Sequence, residues 1–363
     1  MSHPLEVQVG DIPLPGRTQL PLPPRHPATT GVVAFNLDIS NNVIQKVRIE
    51  PGWLHRAAEK LFEVRDYRSL IMLGDRHDWF SSTSGELVIT LAVERAMGLL
   101  PPARATWLRT LLAELARIHS HLAFLSIVDD AVWDEVGAVR ELLVALSGNR
   151  IHPMLNRVGG LSQDAPAAWL ADLAAALPRL QAGAERASQR LEDSGDRFRG
   201  LAVLDAETCR QYGVSGPAAR ACGLDLDLRA DGMLAYAGVL EPTPLRQEGD
   251  AHARLAVLVD EVRTATTMIG RLLDAVPDGP VATPLSRRLK VPEGEHIAEI
   301  EAPWGLASAL LVSRGGQTPW RLALRTPTFH NVAVMEKVLV GTRTQQIPDG
   351  IASLGYAIGD LDK

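Results

Sequence analysis

The feature that most restricts this chain is a change of hydrophobic period along its length. From Gly52 to about position 280 apolar residues recur at helical spacing, whereas two-residue alternation is confined to stretches near the ends. The clearest helical run, Ala103–Val128, follows Pro101-Pro102 and keeps Leu108, Leu111, Leu112, Leu115, Ile118, Leu122 and Leu125 on one broad stripe. That is the pattern of a helix with one face in a core. Pro166–Leu191 and Asp250–Val276 are two more such helices. Val32–Ile39 and Val43–Ile49 are β-prone and separated by Ser40-Asn41-Asn42, the composition of a hairpin turn. His296–Ala302, Ala307–Ser313 and Trp320–Arg325, joined by Gly305 and by Gly315-Gly316, read as a small antiparallel sheet. A last helix is expected over about Asn331–Val340, before a glycine-containing tail. Strands that flank a helical middle, instead of alternating with helices, disfavour a doubly wound nucleotide fold. The expectation is an α+β chain, mainly helical, with small antiparallel sheets near both ends.

The organisation follows from these periods. Residues 1–30 hold seven prolines, which deny backbone donors and hold the chain extended, so they are read as an arm outside the core. Residues 31–50 form the N-terminal β-hairpin. Residues 51–280 form the helical core, with a loop-rich insertion at about 195–248 marked by Gly213-Val-Ser-Gly-Pro217 and by the Gly and Pro of Gly232–Pro244. Residues 281–363 add the small sheet, a helix and a tail that closes on the core.

Charge and motif content exclude several classes. With 37 Lys and Arg against 43 Asp and Glu, the net charge of −6 gives no global basic field for nucleic acid or anionic lipid. No apolar run reaches the roughly 20 residues that cross a bilayer, and Leu87–Leu100 is interrupted by Glu94 and Arg95. The N-terminus lacks a basic stretch followed by an apolar one, so cytosolic residence is expected. Cys209 and Cys222 are too few for a four-thiolate zinc or iron–sulfur site and read as core thiols. Neither a dinucleotide fingerprint nor a phosphate loop occurs, so NAD and ATP binding by this chain have no support. His-Glu-x-x-His and Gly-x-Ser-x-Gly are also absent. His119 and His121, two apart on a helix, face different ways and are not expected to share an ion.

Three polar clusters remain. The first is Arg25-His26-Pro27-Ala28-Thr29-Thr30-Gly31, a loop entering the first strand. The second is Asp75-Arg76-His77-Asp78-Trp79, between helical patterns. The third is Glu114, Arg117 and His121, near one face of the long helix. Composition alone makes each a solvated surface or an ion-pair site.

The order of several segments says more. Trp53-Leu-His-Arg-Ala-Ala-Glu-Lys60, Asp75-Arg-His-Asp78, Leu91-Ala-Val-Glu-Arg95, Ala113-Glu-Leu-Ala-Arg-Ile118 with Ser120-His-Leu122, Arg157-Val-Gly-Gly160, Gly213-Val-Ser-Gly-Pro217, Ile300-Glu-Ala-Pro303 and Arg325-Thr-Pro-Thr-Phe-His-Asn331 follow one another. This colinear series, over about residues 24–363, resembles the D subunit of NADH-quinone oxidoreductase, respiratory complex I. The resemblance implies a helical core like that of the nickel–iron hydrogenase large subunit. Hydrogenases hold their metals with two Cys-x-x-Cys pairs, one near each end. This chain has neither, and Ala357 and Asp360 stand where the second pair would be, so it lacks the soft donors nickel needs.

In that family the old metal cavity, beside the B subunit's terminal cluster, is the pocket for the quinone head group. Its two head-group contacts are a histidine and a tyrosine, and both are changed here, to Thr30 and Trp79. Threonine has no useful acidity and indole only donates, so these two can bond a quinone carbonyl but not deliver a proton. The resemblance implies His26, Thr30, Trp79, Asp78 and Asp130 as quinone-pocket candidates, Asp129 lying near the same acid position as Asp130. Arg56 and Arg76 are expected to brace a neighbouring subunit, or in the case of Arg76 to pair with Asp78. Glu114, Arg117 and His121 are expected to form a buried polar network.

The implied function is a D-type subunit of a complex I-like NADH- or ferredoxin-quinone oxidoreductase, peripheral at the cytoplasmic face of a membrane and assembled with B-, C-, H- and I-type subunits. Quinone is the substrate. NAD enters only through other subunits, and no metal or cluster belongs to this chain. The competing expectation is a D-like scaffold that has lost quinone reduction.

Overall fold

The computed structural model describes residues 3–363. The chain opens with β1 (His3–Gly10) and the short β2 (Thr18–Gln19), followed by β3 (Val32–Ser40) and β4 (Val43–Glu50). These make one four-stranded sheet in the order β2-β1-β3-β4. Asn41 and Asn42 both have positive φ, 50° and 60°, as a two-residue hairpin turn that follows the strand twist requires.

The expected arm therefore differs from what is found. β1 pairs antiparallel with β3, matching Val7 to Phe35 and Val9 to Val33, and both valines are buried. Leu5-Glu6-Val7-Gln8-Val9 alternates as a half-buried strand does, and the dense prolines begin only beyond it. The proline-rich stretch is laced down by side chains. Gln8 receives a hydrogen bond from the Leu14 amide at 2.6 Å, and Arg17 donates to Asn36 at 3.1 Å and to Glu50 at 2.7 Å.

Helices follow. α1 (Ala58–Phe62) is a single turn, because Ala57 adopts a left-handed φ of 53° and cuts the helical pattern of 52–61 short. α2 (Leu70–Gly74) crosses α3 (Ser82–Met97) where two glycines meet, and a Cβ on Gly85 would sit 2.0 Å from the Gly74 carbonyl oxygen. Next come α4 (Ala103–Leu125), α5 (Trp133–Ser147), the two-residue strands β5 (Asn156–Arg157) and β6 (Gly160–Leu161), and α6 (Ala167–Asp193). The stretch read as loop-rich holds only α7 (Ala206–Tyr212), α8 (Gly216–Arg220) and a 3-10 turn before α9 (Ala251–Asp274). α4 packs on α5, α5 on α6, α6 on α9 and α9 on α4, which closes a four-helix core.

The C-terminal sheet has β7 (Gly294–Ala302), β8 (Gly305–Ser313) and β9 (Arg321–Arg325) in antiparallel order, with Ile300 opposite Ala307 and Ala309 opposite Leu324. α3 lies on it, and their shared apolar cluster, with Leu87, Ile89, Ile300 and Leu311, is separate from the cluster inside the four helices. α10 spans Pro327–Val338, starting four residues before the expected Asn331 because Thr326-Pro327 sets its first turn. The tail holds two further helices, α11 (Ile347–Leu354) and α12 (Ile358–Leu361), largely buried. Asp362 latches it, accepting from the amides of Gly52 at 2.6 Å and Leu54 at 2.7 Å.

Candidate functional site

The first cluster folds as a capped turn. His26 accepts from the Ala28 amide at Nδ1, 3.2 Å away, and so starts the 3-10 turn Pro27–Thr29. Its ring meets the edge of Phe124 of α4, and burial pushes its pKa down to about 3, so it is a neutral, fixed group. The Thr30 amide closes the turn on Pro27, and Thr30 itself lines a surface depression with Gly10, Asp11, Gln19 and Arg25. Arg25 pairs with Asp130 at 2.5 Å, each side chain 59% exposed, so Asp130 is a surface acid. Asp129 caps the next turn through the Ala131 amide at 3.3 Å.

The second cluster, at the start of α3, divides its residues between two purposes. Arg76 pairs with the buried Asp75 and not with Asp78, one of the two expectations for it, because Asp75 is fixed at the C-terminal end of α2 directly beside it. The indole Nε1 of Trp79 donates to the Arg76 carbonyl at 3.0 Å, so the donor expected to face a ligand is spent on the chain itself. Trp79 lines a recess with Ser82, His119 and Arg150, apart from the depression at Thr30. Arg56 is exposed and forms no salt bridge among the described residues.

Asp78 points elsewhere. Its Oδ1 accepts from the amides of Phe80 at 2.9 Å and Ser81 at 3.1 Å, and the residue lines a cleft with His77, Ser84, Val88, Leu324 and Asp360. Burial pushes Asp78 up to about 6 and raises Asp360 well above the usual carboxylate range, with the charge of Asp78 adding to the effect on Asp360. The resemblance places Asp360 only as a lost thiolate position. The fold brings it into the same cleft as Asp78.

The third cluster is an internal network, larger than its sequence trace. Arg117 lies 3.3 Å from Glu114 and 3.2 Å from Glu261, and His121 Nε2 is 2.8 Å from Glu261. Arg220 bridges Glu261 at 2.6 Å and Glu301 at 2.5 Å, while Arg229 bridges Glu114 at 3.2 Å and Asp227 at 2.6 Å. Tyr236 donates to Glu114 at 2.6 Å. All of these are buried or nearly so. Burial alone would raise Glu261, but Arg220, His121 and Arg117 together hold it well below the usual range. Sequence reasoning missed Arg220, Asp227, Arg229, Tyr236, Glu261 and Glu301. A signal existed for Glu261, an acid set among Val257, Leu258, Val262 and Ala265 on the apolar stripe of α9. His119 bonds the Phe80 carbonyl at 2.8 Å, away from His121. Among the described residues no group of three or more His, Cys, Asp or Glu is placed to hold a metal ion.

Two of the colinear segments, Leu91–Arg95 and Arg157–Gly160, also meet. Arg109 grips Glu94 through two bonds at 2.9 and 2.8 Å and donates to the carbonyls of Arg157 and Gly160, while Glu94 accepts from the Gly159 amide. The chemistry available is thus divided: a densely paired ion network inside, and a cleft with two acids whose lining cation, Arg325, is bonded to backbone carbonyls.

Known proteins give this arrangement a context. A family model described as respiratory-chain NADH dehydrogenase, 49 Kd subunit, matches residues 132–288 and 284–363. The second of the numbered NADH-quinone oxidoreductase D subunits of Salinispora arenicola is 43% identical over 362 residues, covering 94% of this chain and 92% of its own length. The first of the numbered D subunits of Streptomyces coelicolor is 38% identical, with 94% of each chain covered. The D subunit of Carboxydothermus hydrogenoformans is 31% identical, covering 93% of this chain and 96% of its own.

Proposed function

The chain belongs to the family of the 49 kDa, or D, subunit of NADH-quinone oxidoreductase, and from that premise we propose that its Asp78–Asp360 cleft is one wall of the quinone-reduction cavity. It is a component of an enzyme assembly, and electrons reach the cavity from a B-type subunit's iron–sulfur cluster, fed by NADH or ferredoxin through other subunits. B-, C-, H- and I-type subunits are its partners, and the complex sits at the cytoplasmic face of the membrane. No helix among the described residues is long and apolar enough to cross a bilayer, so in this reading membrane attachment comes through those partners.

The observation that carries the reading is the inward-folded C-terminus. α12 brings Asp360 to the cleft that starts at Asp78, Val88, Ala302 and Leu324 give the same cleft apolar sides, and with about 30 Å³ of free space in this chain alone it is a wall whose facing side a partner would supply. In a hydrogenase-like core the ends of the chain meet in this way around the metals. Here the hollow is lined with carboxyls, hydroxyls, His77, Arg325 and hydrocarbon, and no thiolate.

Filling the cleft tests it. In the assembled complex, Val88→Phe is expected to raise KM for a short-chain quinone several-fold, while electron transfer to ferricyanide, which needs no quinone pocket, is unchanged. Quinone kinetics indifferent to this substitution would overturn the proposal.

The scaffold reading draws on one specific finding, the commitment of the Trp79 N–H to Arg76. It predicts that the wild-type complex reduces no quinone at all. It also predicts that Thr30→Val and Trp79→Ala leave every turnover unchanged, whereas a weaker apparent quinone affinity in either would place those side chains in a working cavity.

A further inference from the structure

Thr30 and Trp79 line recesses apart from the Asp78–Asp360 cleft, and the Trp79 N–H is already spent, so neither side chain supplies a proton there. A ring oxygen that receives electrons must still receive protons.

Two carboxyls stand ready. Gly359 is pressed against the chain entering α3: a Cβ there would lie 2.4 Å from the His77 carbonyl oxygen and 2.9 Å from that of Arg76. His77 Nδ1 is 3.3 Å from the Gly359 carbonyl, so the contact is held from both sides. The next residue, Asp360, is thereby set beside Asp78 in one cleft. Asp78 is supported by two backbone amides, Asp360 only by Thr328 Oγ1 at 3.4 Å.

The charged groups around them are all engaged. Arg325 donates to the carbonyls of Leu306 and Gly213, the latter at 2.7 Å. Lys363 donates to the Leu324 carbonyl and lies 3.4 Å from Glu59. Arg76 is on Asp75. Burial pushes His77 down to about 4, so it is neutral near pH 7. Two like charges without a counter-ion do not both persist in a buried site, and one proton is retained between them.

We infer that Asp78 and Asp360 form a one-proton carboxyl pair that protonates a ring oxygen of the quinone as it is reduced. The inference rests on the cavity reading above. NADH or reduced ferredoxin, oxidised elsewhere in the assembly, supplies two electrons. The carboxyl O–H breaks and an O–H bond forms on the quinone oxygen, and the second proton of the quinol comes from solvent. The pair, left as two carboxylates, is reprotonated from solvent before the next turnover. The apolar wall and the raised affinity for protons share one cause, the burial that pushes both carboxyls up.

The test uses the assembled complex with Asp78→Asn, Asp360→Asn and Asp360→Glu, assayed with a short-chain quinone from pH 5 to 9. Each Asn variant is expected to lose about 100-fold or more in kcat, the scale of general acid catalysis, with KM nearly unchanged and the alkaline decline of kcat gone. Asp360→Glu, which keeps the pair, is expected to recover most of the rate with a displaced pH profile. Ferricyanide reduction should be wild-type in all three, and the infrared band of a protonated carboxyl at pH 7 should disappear in Asp360→Asn. Wild-type kcat and pH profile in both Asn variants, or an unaltered infrared band in Asp360→Asn, overturns the pair while leaving the cavity standing. If Val88→Phe also leaves quinone kinetics untouched, it is the cavity that falls.

Discussion

Glu261 in the helical core and Asp360 in the cleft are both buried, yet one is held well below the usual carboxylate range and the other well above it. Burial acts on them in the same direction. What differs is company: Glu261 meets Arg117, Arg220 and His121, whereas the cations near Asp360 are committed to carbonyls or to other acids. An acid inside a protein is a structural charge where guanidinium forks reach it, and a proton store where they do not. The core and the cleft sort the same residue type into two kinds of chemistry.

Removing the core charge should have the largest effect. Glu261→Gln removes the carboxylate that joins Arg117, Arg220 and His121, and although Glu114, Asp227 and Glu301 still match the three guanidiniums in number, the direct buried pairs are broken, which costs about 3–5 kcal/mol. Urea denaturation should show it as a lower midpoint, and a change below about 1 kcal/mol would erase the contrast with the cleft.

The cleft should respond to pH instead. Asp78, pushed up to about 6 from an ordinary 3.8, takes up a proton on folding between those values. Its contribution to stability is therefore complete below about pH 4 and is lost as pH rises through 6, a swing of about 3 kcal/mol at roughly 1.4 kcal/mol per pH unit. Asp78→Asn is expected to flatten stability against pH across that window, and an unchanged slope would show that Asp78 is not the titrating group.

Gly359→Ala sharpens the comparison from the backbone side. The new methyl meets the His77 carbonyl, so the tail must back away, at about 1–3 kcal/mol typical of overpacking. Separating Asp360 from Asp78 should also lower the pH at which the pair gives up its proton, which the infrared band would report. The smallest effect belongs to Arg25→Ala. Its bridge to Asp130 is solvent-exposed on both sides, so thermal unfolding should move by no more than about 1 kcal/mol equivalent.

Much of this is legible from particular residues. The stripe from Leu108 to Leu125 specifies α4 to within three residues of its observed end, because a long amphipathic period has few alternative readings. Ser40-Asn41-Asn42 specifies a hairpin for the same local reason. The segment at 3–10 reads as part of an arm because nearby prolines mask its alternation, and α1 is overextended in the sequence because nothing local announces a left-handed Ala57. Glu114, Arg117 and His121 can be placed on one helix face, but their partners are remote: the Glu301 carbonyl that Arg117 reaches is 184 positions away. Helical period carries no information about such distant pairings.

The sequence by itself determined the helical middle, the strands at both ends and the family to which the chain belongs, since these are set by local period and by motifs read in order. Only the tertiary structure decided which acids are paired and which share a proton. That depends on where Gly359 lets the C-terminus lie and on which carbonyls have already claimed Arg325 and Lys363, and both are properties of packed distance rather than of order along the chain.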